Sequence, residues 1–390
     1  MITNTKFQVM YFATLIVLIY CGFILISYKT GIQHDHVYYL KIWELDAQGV
    51  NPYSINNPYG PVNILIGKLI IFDSIAPKLF MLANFGLSLI FFIAFFKSRF
   101  YKLRNILLFL ILIPFNPLFF YISVIYGLND TLLTSLIIYA VIFNHKKNSR
   151  LTGLMLALAA LTKVYAVILV PMFCLKNGKV DWSIVKSFMS TFLIGNILSF
   201  FLFGKEYVVG MLNSATRSSS LLSPLAGLKN LFTDGVLFNS KSIFLDWLEI
   251  TIYVLQVINP IIMLIVFLTL FRLTKNQNVD WLESSAVIFL ATLSIYKVVH
   301  PQFFLVFQIL VVLLLITGDP IQNRLAKNFL PVLMFLSIFQ LIYSLNFNSV
   351  IYSFFYLYGG FLFFPICLLS LYLYHKNSSK FRNNQFTKPL

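Results

Sequence analysis

Residues 7–28 read FQVMYFATLIVLIYCGFILISY, a run without a single charged side chain. A helix of about 20 apolar residues is long enough to cross the hydrocarbon core of a bilayer, so this stretch predicts a membrane-spanning first helix. No small-residue cleavage site follows the run, and we therefore expect the helix to be retained rather than removed as a signal peptide.

The composition of the whole chain agrees with a membrane protein. Of the 390 residues, 59% are hydrophobic and 11% are charged, and the mean hydropathy is +0.84. Soluble domains carry roughly 25% charged residues, so soluble catalytic domains, disulfide scaffolds, disordered proteins and nucleic-acid binders are excluded as classes. The cysteines Cys21, Cys174 and Cys367 lie in apolar runs without a C-x-x-C pair, which indicates neither a disulfide framework nor a thiolate metal site.

Further uncharged runs predict an all-α integral membrane protein with a bundle of about 10–12 helices. We expect one transmembrane bundle over residues 1–375 and a basic cytoplasmic tail over residues 376–390. The other predicted spans are 79–96, 105–129, 187–204, 250–271 and 298–318, two helices within 328–374 broken near 346–349, and shorter spans at 131–144 and 284–296.

Two apolar pieces that flank Lys163, residues 151–162 and 164–175, are each too short to cross a bilayer. They form either one helix with a buried lysine or two half-helices of a re-entrant hairpin. With the N-terminus in the cytoplasm, the hairpin places 19 of the 29 Lys and Arg residues and 4 of the 13 acidic residues on the cytoplasmic side. A simple span would move the basic segment 176–186 outside, so the positive-inside rule favours the hairpin and accounts for the net charge of +16.

This orientation gathers unusual polar residues at the outer face of a plasma (inner) membrane. The long segments 29–78 and 205–249 become the first and second periplasmic loops. Ionisable residues at membrane depth are costly and mark functional sites, so we predict a polar site facing the periplasm. Its candidates are His34, Asp35, Asn129, Asp130, Lys163, Arg217, Lys297, His300 and Gln302.

The segment 31–53 predicts an amphipathic helix along the membrane surface, with Asp35 at its start. Asp35 either caps this helix or places a reactive carboxylate at the level of the lipid head groups. His34 and His36 flank the carboxylate, but neighbouring helical side chains point apart, so a metal site is not favoured. The apolar residues at helical spacing are Val37, Leu40, Trp43 and Ala47.

Two further segments present polar residues at predicted breaks between helices. Asn129 and Asp130 follow a long apolar run, and Asp130 either caps the next helix or belongs to the polar site. Lys163 stands at the half-helix junction. Its ammonium group either binds an anion or extends to the membrane interface.

Late in the chain, Lys297, His300 and Gln302 fall within six residues, just before a predicted span. They suit either contact with a phosphate or head group, or anchoring at the interface. Arg217 lies in a Ser- and Thr-rich stretch of the second outer segment, where it either joins the phosphate contact or is solvated.

The order of these elements resembles that of the polytopic glycosyltransferases of the GT-C fold. The likeness is strongest to glycosyltransferase family 87 and to enzymes similar to GPI mannosyltransferase I. It covers residues 5–320. The motifs that carry it are Asp35, Asn51-Pro52-Tyr53, Tyr59-Gly60-Pro61, Gly127-Leu128-Asn129-Asp130, residues 160–171 and residues 297–302.

The resemblance implies a hexosyltransferase that moves a sugar, mannose in the first place, from a polyprenyl-phosphate donor to a glycan or glycolipid acceptor. It implies Asp35 as the catalytic base and no nucleic-acid partner, with membrane lipids as the surroundings. No cofactor is implied, and no divalent metal is indicated because the first loop lacks the paired acidic residues of some GT-C families. The substrate- and phosphate-binding candidates are Lys163, Lys297, His300, Gln302, Arg217, Asn129, Asp130 and Tyr59.

Two other functions are also found in basic, polytopic membrane proteins. An O-antigen polymerase relies on arginines in large outer loops, whereas the late outer segment here offers Arg217 as its one arginine. A flippase or transporter for lipid-linked oligosaccharides is expected to show internal repeats and charges near the midplane of several spans, and the sequence shows no clear repeat.

Overall fold

A computed structural model describes residues 2–33, 35–176, 179–216, 220–233, 243–276, 279–345 and 349–386. Within these ranges nearly every residue is helical, which confirms the all-α polytopic class. Six of the described helices are long and apolar enough to cross a membrane, or seven if one bent pair forms a single span. The chain divides into two compact units, Met1–Arg217 and Ser218–Leu390.

The first unit is a helical bundle with one short β-hairpin. Its strands β1 (Leu175–Lys176) and β2 (Lys179–Val180) pair antiparallel. The segment Phe120–Ile125 winds as a π-helix, and short 3-10 helices cover Lys68–Ile71, Lys97–Arg99 and Val164–Leu169. The α-helices are α1 (Ile2–Thr30), α2 (Asp35–Ala47), α3 (Pro61–Gly67), α4 (Ala76–Phe95), α5 (Leu103–Leu112), α6 (Pro117–Phe119), α7 (Asp130–His145), α8 (Ser149–Thr162), α9 (Val170–Cys174) and α10 (Trp182–Thr216).

The second unit is helical as well. Its strands β3 (Ser220–Leu221) and β4 (Val298–Val299) pair in parallel, and 3-10 helices cover Pro301–Phe303 and Lys327–Phe329. Its α-helices are α11 (Pro224–Thr233), α12 (Ile243–Asn276), α13 (Trp281–Ser294), α14 (Phe304–Thr317), α15 (Pro320–Ala326), α16 (Leu330–Leu345) and α17 (Ser349–Phe386).

Contacts within the first unit define two ends of its bundle. At one end, here called the basic end, the ring of Phe96 meets that of His145 with centroids 5.0 Å apart. The other end, here called the Lys163 end, carries Lys163 paired with Asp130. Helix α7 runs from Asp130 at the Lys163 end to His145 at the basic end, about 24 Å for its 16 residues. The basic end takes its name from Lys97, Arg99, Lys102, Arg104, Lys146, Lys147 and Arg150.

The chain segment that contains Lys163 enters and leaves the bundle at the basic end, so the re-entrant hairpin is confirmed. Helix α8 stops at Lys163, whose backbone is extended at φ −145° and ψ 125°. The following 3-10 helix and α9 lead back. The Ser149 hydroxyl at the start of α8 donates to Asp181 Oδ2 just after the returning arm, at 2.6 Å. Both ends of the hairpin therefore lie at the basic end of the bundle, and Lys163 lies at the tip of the hairpin.

Two predicted spans have a different form in the structure. The span predicted at 105–129 is bent by 43° between α5 and the Pro117–Ile125 segment, because Pro114 and Pro117 lack the backbone N–H that a continuous helix requires. The Asn116 side chain accepts a hydrogen bond from Leu118 N at 2.9 Å and starts the second piece. The span predicted at 298–318 begins late, since residues 298–299 pair with β3 and the α-helix starts only at Phe304.

The last predicted pair of spans is present. Helix α16 ends at Leu345 and α17 begins at Ser349, while residues 346–348 lie outside the described part of the chain. Helix α17 continues to Phe386. The described part of the predicted tail at 376–390 is thus a continuation of the last helix.

Candidate active site

A fully buried carboxylate joins two of the predicted polar segments at the Lys163 end. Asp130 Oδ2 lies 2.5 Å from Lys163 Nζ, and Asp130 Oδ1 accepts a hydrogen bond from the Tyr165 hydroxyl at 2.8 Å. The break in the helix at Lys163 turns both Lys163 and Tyr165 toward the start of α7. Both carboxylate oxygens are therefore occupied by donors of the hairpin tip.

Tyrosines of the segment 29–78 complete this cluster. The Tyr39 hydroxyl donates to Asn129 Oδ1 at 3.0 Å, and its ring stands edge-on to that of Tyr59 with centroids 4.8 Å apart. Lys163 Nζ lies 5.6 Å from the centroid of the Tyr59 ring, within the range of a cation–π interaction. Three of the four segments predicted to converge thus meet in one place.

Asp35 is the first residue of α2, one helical turn before Tyr39, and it is half-buried. A carboxylate in the first turn is stabilised by the positive end of the helix dipole. Burial raises the pKa of Tyr39 well above its usual value, and the neighbouring Tyr59, Asp130 and Asp35 raise it further. Tyr39 therefore stays a neutral hydrogen-bond donor between the two aspartates.

Helix α2 packs against the protein through a face that is only partly apolar. Of the apolar residues Val37, Leu40, Trp43 and Ala47, Trp43 is buried by the protein, whereas Val37 is 57% exposed and Ala47 is exposed too. The buried residues are His36, Tyr39, Ile42 and Trp43. Polar partners decide this orientation, because Trp43 Nε1 donates to Asn63 O at 2.9 Å while Tyr39 donates to Asn129.

His36 is held by the loop that precedes Asp130. Its Nδ1 lies 3.1 Å from Gly127 O, so Nδ1 carries the proton and donates. Burial lowers the pKa of His36 to about 4; the hydrogen bond to Gly127 opposes this shift and the charge of Lys78 adds to it. At neutral pH the imidazole is uncharged.

An apolar cavity of about 710 Å³ opens beside this cluster. On one side it is lined by Gly60, Leu161 and Val164, which adjoin Tyr59 and Lys163 in the chain. On the other side it is lined by α10 before and after a kink at Gly204 (φ 65°, ψ −152°). That backbone conformation is open to glycine and strained for other residues. The bend supplies the second wall of the cavity.

The segment 29–78 stabilises the kink in α10. Asn51 Nδ2 donates to Phe203 O at 2.8 Å, a carbonyl next to Gly204 that the bend leaves available. Tyr53 packs its ring against those of Phe203 and Tyr207, with centroids 5.1 Å and 5.0 Å away. The Asn51-Pro52-Tyr53 motif therefore acts on the cavity wall.

The fourth predicted segment belongs to the second unit. The backbone N–H of Lys297 donates to Asn259 Oδ1 at 2.9 Å, and its side chain is buried. The ring of His300 stands edge-on to that of Phe303, with centroids 5.8 Å apart, and Gln302 is half-buried. His34 and Arg217 lie outside the described residues, so the roles predicted for them stay predictions.

Two members of the cluster were not among the sequence-based candidates. Tyr165 stands two residues after Lys163, inside the motif at 160–171, and Tyr39 follows Asp35 by one helical turn. A tyrosine spaced to share a helix turn or a hairpin tip with a candidate charge is the signal that would have found them. Across the described residues, no group of three or more His, Cys, Asp or Glu side chains is placed to hold a metal ion.

Comparison with known families gives one match. The model described as "Glycosyltransferase family 87" matches residues 59–301, more than half of the chain. The matched range contains Tyr59, Asp130, Lys163 and Lys297, and it begins after Asp35. No curated protein matches the chain significantly.

Proposed function

The chain belongs to glycosyltransferase family 87 and is a membrane glycosyltransferase, and from this we propose that it moves a hexose, mannose in the first place, from a polyprenyl-phosphate sugar to a glycan or glycolipid acceptor. The family favours a transferase over the polymerase and flippase alternatives. The proposal concerns the donor, the acceptor and the residues that act on them.

The observation that carries the proposal is the position of the apolar cavity. Its lining residues Gly60 and Leu161 stand next to the polar cluster of Tyr59 and Lys163. A polyprenyl-phosphate sugar has the same arrangement, since a long apolar tail ends abruptly in a charged phosphate and a hydroxyl-rich ring. The tail already lies in an apolar bilayer, so the cavity would hold it by van der Waals packing rather than by the hydrophobic effect, and this packing would bring the sugar to the cluster.

Asp35 is the proposed general base. An acceptor hydroxyl transfers its proton to the Asp35 carboxylate while its oxygen forms a bond to the anomeric carbon of the sugar. The bond from that carbon to the phosphate oxygen breaks, and the electron pair leaves with the polyprenyl phosphate. A single displacement of this kind inverts the anomeric configuration. Asp130 is less suited to the role, because Lys163 and Tyr165 occupy its oxygens.

Cations and hydrogen-bond donors stabilise the departing phosphate in this proposal. Lys163, Lys297, His300 and Arg217 are the proposed phosphate contacts. Asn129, Asp130, Tyr59 and Gln302 are proposed to position the sugar. Asn129 supports this, because its buried Nδ2 has no hydrogen-bond partner in the structure and is free to donate to a sugar hydroxyl.

The proposed location of the site is the periplasmic face of the inner membrane. In the first unit, Asp130 and Lys163 lie at one end, and the seven Lys and Arg residues that give the basic end its name lie at the other. Basic residues are enriched in cytoplasmic loops of membrane proteins. This distribution supports a site that faces the periplasm.

The substitution Asp35→Asn tests the proposed base. Asparagine keeps the size of the side chain but cannot take a proton, so we expect the rate of hexose transfer to fall by 10²–10⁴-fold with donor binding retained. The assay follows radiolabelled mannose from polyprenyl-phosphate mannose to extracted envelope glycolipids. Polyprenyl-phosphate glucose and galactose, run in parallel, establish the sugar.

Asp46→Asn is the matched control. Asp46 lies on the same helix, three turns further on, and forms an ion pair with the exposed Lys68. We expect its transfer rate to stay within a few-fold of the wild type. A normal rate for Asp35→Asn together with a lost rate for Asp130→Asn would assign the base to Asp130 instead.

A further inference from the structure

A buried lysine outside the polar cluster forms hydrogen bonds to two separate segments of the chain. Lys78 lies in the first turn of α4, and its side chain is fully buried. Its Nζ donates to Gly31 O at 2.9 Å and to Ile125 O at 2.6 Å. Ser27 O and Thr30 Oγ1, at the end of α1, lie 3.3 Å away. These four acceptors are neutral oxygens, and the end of a helix carries the partial negative charge that suits a cation.

The stem of Lys78 also fits against Gly127. A Cβ atom at Gly127 would lie 2.3 Å from Lys78 Cγ, and Gly127 has a φ of +65°. The carbonyl of Gly127 accepts the hydrogen bond from His36 Nδ1. A continuous set of contacts therefore leads from Lys78 through Gly127 to His36, the residue next to Asp35.

The two segments that Lys78 holds are the ones that carry the two aspartates. Gly31 precedes Asp35 by four residues, and Ile125 precedes Asp130 by five. Each segment is a short connection between helices, and each has a glycine with positive φ, Gly31 at 67° and Gly127 at 65°. Such connections do not fix their own position, so the hydrogen bonds from Lys78 set the distance between the two segments.

We propose that Lys78 is a positioning residue for sugar transfer. Its hydrogen bonds hold the Asp35 segment against the Asp130 segment and thereby set the position of the Asp35 carboxylate. Lys78 touches no substrate in this proposal and acts through Asp35. The proposal rests on the proposed role of Asp35 as the base. A misplacement of about 1 Å costs on the order of 10²-fold in rate.

The test is the Lys78→Met variant, which keeps an unbranched side chain against Gly127 and removes the ammonium group. We expect kcat to fall by about 100-fold, while KM for the donor changes less than about threefold and the purified protein stays monodisperse in detergent. Lys78→Arg, which keeps a cation, is expected to recover part of kcat. Lys68→Met is the control. It removes an exposed lysine from the 3-10 helix that precedes α4, and we expect kcat to be unchanged.

A double-mutant cycle separates positioning from a merely structural role. In an Asp35→Asn background, adding Lys78→Met should leave the residual rate unchanged, because the group that Lys78 positions is already disabled. An equal loss in both backgrounds would overturn the proposal. A normal rate for Asp35→Asn alone would instead mean that the proposed base is wrong, so the two failures are distinguishable.

If Lys78→Met does not fold, Thr30→Val gives a graded version of the test. It removes one of the four oxygens around Nζ and leaves Lys78 in place. We expect a several-fold loss of kcat with donor KM unchanged. An unchanged kcat in a folded Thr30→Val protein, or a loss confined to KM, would overturn the proposal.

Discussion

Lys163 Nζ and Asp130 Oδ2 lie 2.5 Å apart although 33 residues separate them in the chain. One residue stands at the tip of the re-entrant hairpin and the other starts α7. Both side chains are almost completely buried. Their pairing joins the hairpin to the helix that crosses the bundle beside it.

The pair predicts a stability effect at Lys163. The variant Lys163→Met leaves the buried Asp130 carboxylate without its counter-charge. Breaking a buried pair on one side costs about 3–5 kcal/mol, so we expect a clearly lower unfolding temperature in detergent. The double variant Asp130→Asn with Lys163→Met should recover most of the loss.

Lys68→Met serves as the reference for this comparison. It breaks the pair with Asp46 in which Lys68 is largely exposed, and exposed pairs contribute about 0–1 kcal/mol. Equal unfolding temperatures for Lys68→Met and Lys163→Met would show that the buried pair contributes little to stability.

The cavity predicts a dependence on the length of the donor tail. Val208→Trp places a large ring in the cavity wall and displaces part of the isoprenoid chain. The displaced part of the tail loses its packing contacts with the cavity and returns to the lipid, so we expect donor binding to weaken several-fold, measured as KM for a long-chain polyprenyl-phosphate sugar. A donor with a very short tail should be affected much less.

Leu193→Trp is the matched control for that variant. Leu193 lies on the same helix and is similarly exposed, at 48% against 41% for Val208, but it does not line the cavity. The cavity would not be the tail site if both variants raised KM equally, or if Val208→Trp affected long and short donors alike.

His36 predicts a loss of stability in acid. Its pKa is lowered to about 4 in the folded protein, against about 6.5 in an unfolded chain. Between these values the unfolded chain binds a proton that the folded protein does not, so the free energy of unfolding falls as the pH decreases from about 6.5 to about 4. The full effect is about 3 kcal/mol.

Thermal unfolding across this pH range measures the effect of His36. His36→Gln should flatten the pH dependence, whereas His375→Gln, at an exposed histidine, should leave it as in the wild type. An identical acid dependence for all three proteins would contradict the assignment to His36.

The orientation of the site predicts the result of cysteine labelling. In a background without the three native cysteines, Gln33→Cys, two residues before Asp35, should react with an impermeant thiol reagent from the periplasmic side. Lys147→Cys at the basic end should react only after the membrane is permeabilised. Both positions are exposed. The reverse pattern would place the site on the cytoplasmic face.

The helices and the hairpin could be predicted because they depend on local features. Uncharged runs set the helices, and the lengths of the two pieces around Lys163, with the distribution of Lys and Arg, set the hairpin. The prolines at 114 and 117 are visible in the sequence, but whether they bend the span depends on whether neighbouring helices compensate for the lost backbone hydrogen bonds. That information is not local.

The partners within the site could not be predicted. In α2, apolar residues occur on several faces, so hydrophobicity does not tell which side meets the protein, and the hydrogen bonds of Trp43 and Tyr39 decide it. The pairing of Asp130 with Lys163 depends on how far α7 and α8 slide past each other. The amino-acid sequence of a single chain contains no direct record of that register.

The hairpin that carries Lys163 has a consequence for how this bundle tolerates change. Because the hairpin enters and leaves at the same end, it does not change how many times the chain crosses the membrane. Helix α10 therefore starts on the same side with or without it. A change in the length of the hairpin therefore does not invert the helix that follows, although Lys163 and Tyr165 at its tip are held by Asp130. The chemistry of the residues at this tip is therefore independent of the side of the membrane on which α10 starts.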